Sequence, residues 1–293
     1  MDTRVPIEKT YKLFIKNEFV RSESGRALAV PNDTTGGTTN VSRASRKDAR
    51  EAVIAAKAGF HTWASKTAYL RGQILYRLAE VMEGRRAELC EARSAAGVSG
   101  DEARMEVELA IDRVVHYAGW TDKFNMMLSS TNPVAGPHFN VTSPEPTGVV
   151  GIVPPDGGAT LLTLVSTVIP VITAGNGAIV VAPERDPRTT IIWCECIATS
   201  DMPAGVINVL TGLRSELVPQ LAKHMDINAL DIWTSPTVDA ELAKAAAVDG
   251  AENVKRVKIR DSQALDWASD AAQGLSFIDP WLELKTVWHP VGL

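Results

Sequence analysis

Three cysteines and five histidines are the residues most able to do chemistry in this chain. Cys90, Cys194 and Cys196 could each supply a thiolate nucleophile, or a metal ligand together with histidine. Cys90 stands beside Leu89 within a helical pattern, where a cysteine reads as a small buried residue. Cys194 and Cys196 lie two apart on an expected helix and so point to different faces, which argues against a shared metal site. Both read as structural, with pairing to a distant histidine left open. His61, His116, His138, His224 and His289 are scattered, and no Ser-His-Asp set or carboxylate pair stands out along the sequence. The stretch "PPDGGA" reads as a flexible surface turn, although its two glycines could make room for a ligand around Asp156 to Ala159.

The elements that would hold these residues are clearer than the residues' own roles. "YKLFIKNEFVRS" alternates and turns at Lys16-Asn17, which predicts a hairpin. Ser45 followed by Asp48 opens a helix whose Ala49, Val53, Ala56 and Phe60 recur at helical spacing. A second helix is predicted from Ala68 to a stop at Gly97, and a third from Gly100 with acidic residues in its first turn. "GPHFNVTSPEPTGVVGIVPP" is strand-like, with the turn residues Pro144 and Pro146 inside it. Strands and helices then alternate through "GVVGIV", "GAIVVAP", "GVINVLT", "NALDIWT" and "VKRVKI", which predicts a parallel sheet wrapped on both faces. Its ligands would bind at the carboxyl ends of the strands. "KRVKIR" alternates as a strand with one solvated face would, and a short polar helix is predicted at "SQALDWASDAA".

Composition limits the function classes. The chain has 293 residues, 45% apolar and 22% charged, with a net charge of −5. No basic surplus is present to hold a phosphate backbone, so nucleic acid is not an expected partner. The most apolar stretch, "GATLLTLVSTVIPVITAGNGAIVVAP", is interrupted by Pro170, Gly175 and Asn176 and reads as buried helix, turn and strand, not a membrane span. Three reduced thiols and a start without an apolar leader predict a cytoplasmic protein.

In order along the chain, "RASRKDAREAVIAAKAGFHTWASKTAYLRGQILYRLAEVMEGRRAEL", "EPTGVVGIVPP", "AGNGAIVVAPERDP" and "MPAGVINVLTG" resemble signature stretches of the aldehyde dehydrogenase superfamily. The tail "WLELKTVWHP" looks like the last strand of that family's oligomerisation arm. The resemblance implies an α/β fold: a Rossmann-like parallel sheet with helices on both faces, N-terminal helices, and a small β-strand oligomerisation arm. It divides the chain into N-terminal hairpin and helices (1–136), an arm strand (137–147), a Rossmann-like domain (148–261), a linker (262–275) and a C-terminal arm strand (276–293). Where the family places its catalytic domain, only fourteen residues separate Asp261 from Ser276, too few for a domain.

The same comparison implies lost chemistry. No cysteine occupies the nucleophile's place. Gly157 stands at the oxyanion-binding asparagine and Asp156 at the tryptophan before it, while Arg260 stands at the general base and cannot accept a proton. Val153, Pro155, Glu184 and Ser235 are the vestigial cofactor positions; Val181 replaces a lysine, Arg214 a glycine, and "TSPT" a glycine-serine-threonine turn. No catalytic residue, metal or cofactor is expected, with NAD(P) binding as the alternative. The implied function is a non-catalytic structural or regulatory subunit. It would oligomerise with a full-length aldehyde dehydrogenase, or with itself, through Phe139–Pro146 and Trp281–Trp288, alongside a dimer helix near "DAELAKAAAV". The alternative is an NAD(P)-binding oxidoreductase acting on aldehydes, its site completed by another subunit.

Overall fold

The computed structural model describes residues 9–235 and 239–291; the opening "MDTRVPIE" and the Pro-Thr of "TSPT" lie outside the described residues. Strands β1 (Leu13–Ile15) and β2 (Glu18–Val20) form the predicted hairpin. Lys16 and Asn17 both take positive φ, 57° and 60°, as the twist of a two-residue hairpin demands. A second hairpin, β3 (Ala27–Asn32) with β4 (Gly37–Ser42), was not expected. Only Val30, Thr39, Val41 and Ser42 are buried in it, so its apolar alternation is too thin to read.

Helix α1 (Arg46–Ala64) starts as predicted. Ser45 Oγ accepts from the Lys47 and Asp48 amides, and the Asp48 carboxylate accepts from the Ser45 amide at 2.7 Å. The single helix expected from Ala68 to Gly97 is instead two, α2 (Ala68–Gly84) and α3 (Arg86–Ala95). The chain leaves the helix at Arg85, φ −109° and ψ 19°, directly after Gly84, a poor helix former. The Arg85 guanidinium binds Glu88 and Glu195. Gly97, φ 85°, ends α3 as predicted. Helix α4 (Gly100–Ala118) carries a second capping box between Ser99 and Glu102, and the short α5 (Lys123–Leu128) leads to β5 (Ser130–Asn132) and β6 (His138–Pro146).

The alternating segment runs β7 (Val149–Val153), α6 (Thr160–Thr173), β8 (Gly177–Val181), α7 (Pro187–Ala198), β9 (Ile207–Leu210), α8 (Arg214–Lys223), β10 (Ala229–Thr234), α9 (Ala240–Ala251) and β11 (Arg256–Asp261). These strands are parallel in the order β11-β10-β7-β8-β9, and β1 and β2 extend the sheet antiparallel beyond β9. Residues of β7 to β10 are buried throughout, the pattern of a sheet covered on both sides. Val149, Val153, Ile179 and Ile232 pack on α1, α8 and α9. Val150, Ile152, Val180 and Val209 pack with α2, α4, α6 and α7. Gly59 of α1 meets the Gly205 backbone so closely that a Cβ would run into it. Gly59→Ala should therefore cost about 1–3 kcal/mol. A drop of several degrees in the thermal midpoint checks this, and an unchanged midpoint contradicts it.

After β11 come α10 (Leu275–Ile278) and β12 (Leu282–Pro290). Residues Ser262 to Ala272 do not form the predicted polar helix; they make turns and one 3-10 turn at Asp270–Ala272. The buried Arg113 takes the carbonyls of Trp267 and Ala272, so these acceptors are not available to a helical ladder. Asp266 hydrogen-bonds within its own turn, a local competitor of helix. Strand β12 pairs antiparallel with β6 over its whole length, Leu282 opposite Pro146 to Pro290 opposite His138, in a three-stranded sheet β12-β6-β5. Pro144 and Pro146 lie within β6, inside the stretch read as strand-like. They are tolerated there because β5 pairs only with Asn140 to Thr142, leaving one side of both prolines without a ladder.

Candidate functional site

The parallel strand order reverses at β7, with β8 and β9 on one side and β10 and β11 on the other. The crevice between the carboxyl ends of β7 and β10 is thus the place where such a sheet receives ligands. A cavity of about 360 Å3 lies there, lined by the loop Pro155 to Ala159, by Trp233 to Ser235, and by Ser262, Gln263 and Trp267. Of the four residues singled out from the sequence, Pro155 and Ser235 line this cavity. Val153 does not: it ends β7 fully buried in the core facing α1 and α8. Glu184, on the turn after β8, is partly buried and accepts a hydrogen bond from the Arg214 amide.

The turn expected to be flexible is tied down. Asp156 accepts from the Arg185 amide at 3.0 Å, and the Gly158 carbonyl accepts from Arg93 Nη2 at 2.6 Å. Gly157 and Gly158 hold φ of 115° and 68°, open only to glycine without strain. Arg93, 2% exposed, also pairs with Glu106 at 2.8 Å and with Asp186. Glu106 accepts from the Leu161 and Leu162 amides, so it occupies the N-terminus of α6. Burial raises the Glu106 carboxyl above its ordinary range, with Arg93 pulling it back.

Arg260, at the place implied for a general base, turns inward. Its Nε lies 3.1 Å from the buried Asp231, and its guanidinium lies over Trp233, Phe277 and Trp281 at 5.1, 5.7 and 5.6 Å. Arg256 donates to the carbonyls of Pro280 and Leu282 and to Glu283. The solvated basic face expected of "KRVKIR" is therefore the face that holds the C-terminal segment. Trp267 meets Trp233 edge-on at 4.8 Å and donates to the Ser262 carbonyl.

None of the cysteines or histidines joins this site. Burial pushes the Cys196 thiol up to about 11, the Cys194 thiol well above its usual range and the Cys90 thiol upward, so none is held as a thiolate at neutral pH. His116 accepts from Trp120 Nε1 at 3.0 Å, His138 packs on Trp288, and His224 accepts from the Asp226 amide. Among the described residues no cluster of His, Cys, Asp and Glu could hold a metal, and no helix is long and apolar enough to cross a membrane. The sequence reading missed the Arg93–Glu106 pair. Its signal was present: Leu89 and Ala92 put Arg93 on a buried face, as Ala103, Val107 and Ala110 do for Glu106.

Known proteins share this architecture. Aldehyde dehydrogenase, cytosolic 1 of Elephantulus edwardii is 32% identical over 263 residues, which take in 88% of this chain and 51% of that protein. Retinal dehydrogenase 2 of Homo sapiens is 34% identical over 257 residues, 86% of this chain and 48% of that protein. The solved NAD+ complex of an aldehyde dehydrogenase from Bacillus cereus superposes with a TM-score of 0.78 at 25% identity, over 86% of this chain and 51% of that one. The chain spans about half the length of the curated relatives it matches. Residues 19–260 match the aldehyde dehydrogenase family, and with these relatives over the same strands and helices the chain belongs to that family.

Proposed function

We propose that this chain is a non-catalytic cytoplasmic subunit that assembles through the sheet β12-β6-β5, with a full-length aldehyde dehydrogenase as its partner or a second copy of itself as the alternative. The observation that carries the reading is the state of β12. Eight of its nine residues are exposed, and among the described residues one of its edges has no neighbouring strand. Leu284, Val287 and Trp288 stand 61%, 52% and 59% exposed on it, with Phe139 of β6 alongside. An unpaired apolar strand edge is an aggregation liability unless another sheet completes it, and strand addition would supply both the ladder and pockets for alternate side chains. The segment from Ser262 to Ile278 makes turns, one 3-10 turn and one short helix, with Trp267 and Phe277 against Trp233 of the sheet. No cysteine is among the described residues that line the crevice.

Co-expression with a full-length aldehyde dehydrogenase from the same cell, followed by native mass measurement, tests this. A mixed complex, or a homo-oligomer, is expected. Val287→Lys combined with Trp288→Glu should weaken it by more than about tenfold with only a small loss of thermal stability, since both side chains are more than half exposed in the isolated chain. A wild-type protein that stays monomeric and captures no homologue contradicts the proposal.

A further inference from the structure

We propose that Arg214 is a built-in plug beside the cavity at the carboxyl ends of β7 and β10, filling the part of the sheet's carboxyl-end face where this fold would otherwise receive a dinucleotide, so that this part of the site is closed from within. This inference rests on the crevice alone and stands or falls independently of the arm. Four segments meet at the carboxyl ends of the strands, beside the cavity: the loop after β7, the turn after β8, the start of α8 after β9, and the start of α9 after β10. Arg214, the first residue of α8, ties the other three together. Its amide donates to the Glu184 carboxylate on the β8 turn. Its Nη1 donates to Asp239 before α9 at 2.6 Å, and its Nη2 to the Pro154 carbonyl after β7 at 2.6 Å. The side chain is 2% exposed.

Each requirement of a bound dinucleotide is thereby already met by the protein itself. A ribose needs a carboxylate acceptor for its hydroxyls, and Glu184 is engaged by the Arg214 amide. A pyrophosphate needs an open helix N-terminus, with its positive end and orphan amides. The α6 terminus is taken by Glu106, which accepts from Leu161 and Leu162. The α9 terminus is preceded by Asp239, whose φ is 64° and whose carboxylate turns to Arg214 instead of capping the helix. A phosphate entering there would meet the Asp239 carboxylate, and it could reach the guanidinium only by displacing its partners. The residues present do not fit a dinucleotide.

Calorimetric titration with NAD+, NADP+ and ADP-ribose tests this on the full chain. The wild type should show no saturable binding into the millimolar range. Arg214→Gly with Asp239→Asn, which removes the plug and one negative charge together, should gain at least about tenfold in affinity for ADP-ribose. Submillimolar binding by the wild type overturns the proposal, as does a folded double variant that gains nothing. Should the variant not fold, phenylglyoxal labelling of the wild type decides. Arg214 should stay unmodified while Arg104, whose side chain is 60% exposed, is labelled. Equal labelling of the two overturns the assignment.

Discussion

Arg93→Met is expected to cost about 3–5 kcal/mol at neutral pH, a fall of roughly 10 °C in the thermal midpoint. The side chain is buried between two carboxylates, Glu106 and Asp186, which are themselves 6% and 3% exposed. Its Nε donates to Glu106 at 2.8 Å, its Nη1 to Asp186, and its Nη2 to the Gly158 carbonyl. Methionine fills similar space and answers none of them. Two buried charges then lose their counter-ion, a larger penalty than losing a pair outright. The damage should spread along the site, because Glu106 holds the start of α6 and Asp186 caps α7 through Thr189. The loss should also depend on pH. Glu106 is already pushed up by burial, and Arg93 is what draws it back. Without Arg93 its folded pKa rises further above the unfolded value. A carboxyl raised in this way gains stability as pH falls through the folded pKa and loses it as pH rises. Urea unfolding at several pH values should therefore find the deficit of the variant shrinking on acidification. A deficit that is flat with pH, or under about 1 kcal/mol, would remove the network from the account of stability.

Asp231 is expected to make the wild-type fold less stable as pH rises from about 4 to about 7. It is buried in the middle of β10, and burial pushes its carboxyl up to about 6 from 3.8, against the pull of Arg260, of the Trp233 N–H and of Lys258. A displacement of that size corresponds to about 3 kcal/mol, present below the unfolded pKa and lost as pH passes through 6. Asp231→Asn should flatten that slope, and the difference between variant and wild type should grow as pH rises through 6. Exposed carboxylates with lowered pKa, such as Glu88 and Glu216, act in the opposite direction but are common to both proteins and cancel in the difference. Arg260→Met sharpens the case. Removing the guanidinium leaves Asp231 as a buried unpaired charge and takes away the cation under Phe277 and Trp281. Its cost should be greater above pH 6 than below, and hydrogen exchange should rise in residues 262–281, the segment leading into β12. Equal costs on both sides of pH 6 would show that Asp231 stays neutral throughout.

Elements whose causes are local can be read directly along the chain. Lys16-Asn17 at the tip of the first hairpin, the Ser45–Asp48 cap and the stop at Gly97 are each decided by a few neighbouring residues. The buried five-residue strands β7 and β8 and the helices between them follow from apolar runs of the right length. Family resemblance added the order of those elements. What the polar residues do depends on contacts that exist only once the chain is folded. Arg93 meets partners 13 and 93 residues away, and Arg214 meets partners 25, 30 and 60 residues away. Arg260 reads from the sequence as a lost base on a solvated strand, yet it becomes the clamp over Trp233, Phe277 and Trp281. Periodicity and capping act within a turn or two of chain, so they are written along it. An ion pair or a cation over a ring acts across a few ångströms of space, and only the sheet order β11-β10-β7-β8-β9 brings those residues within that range.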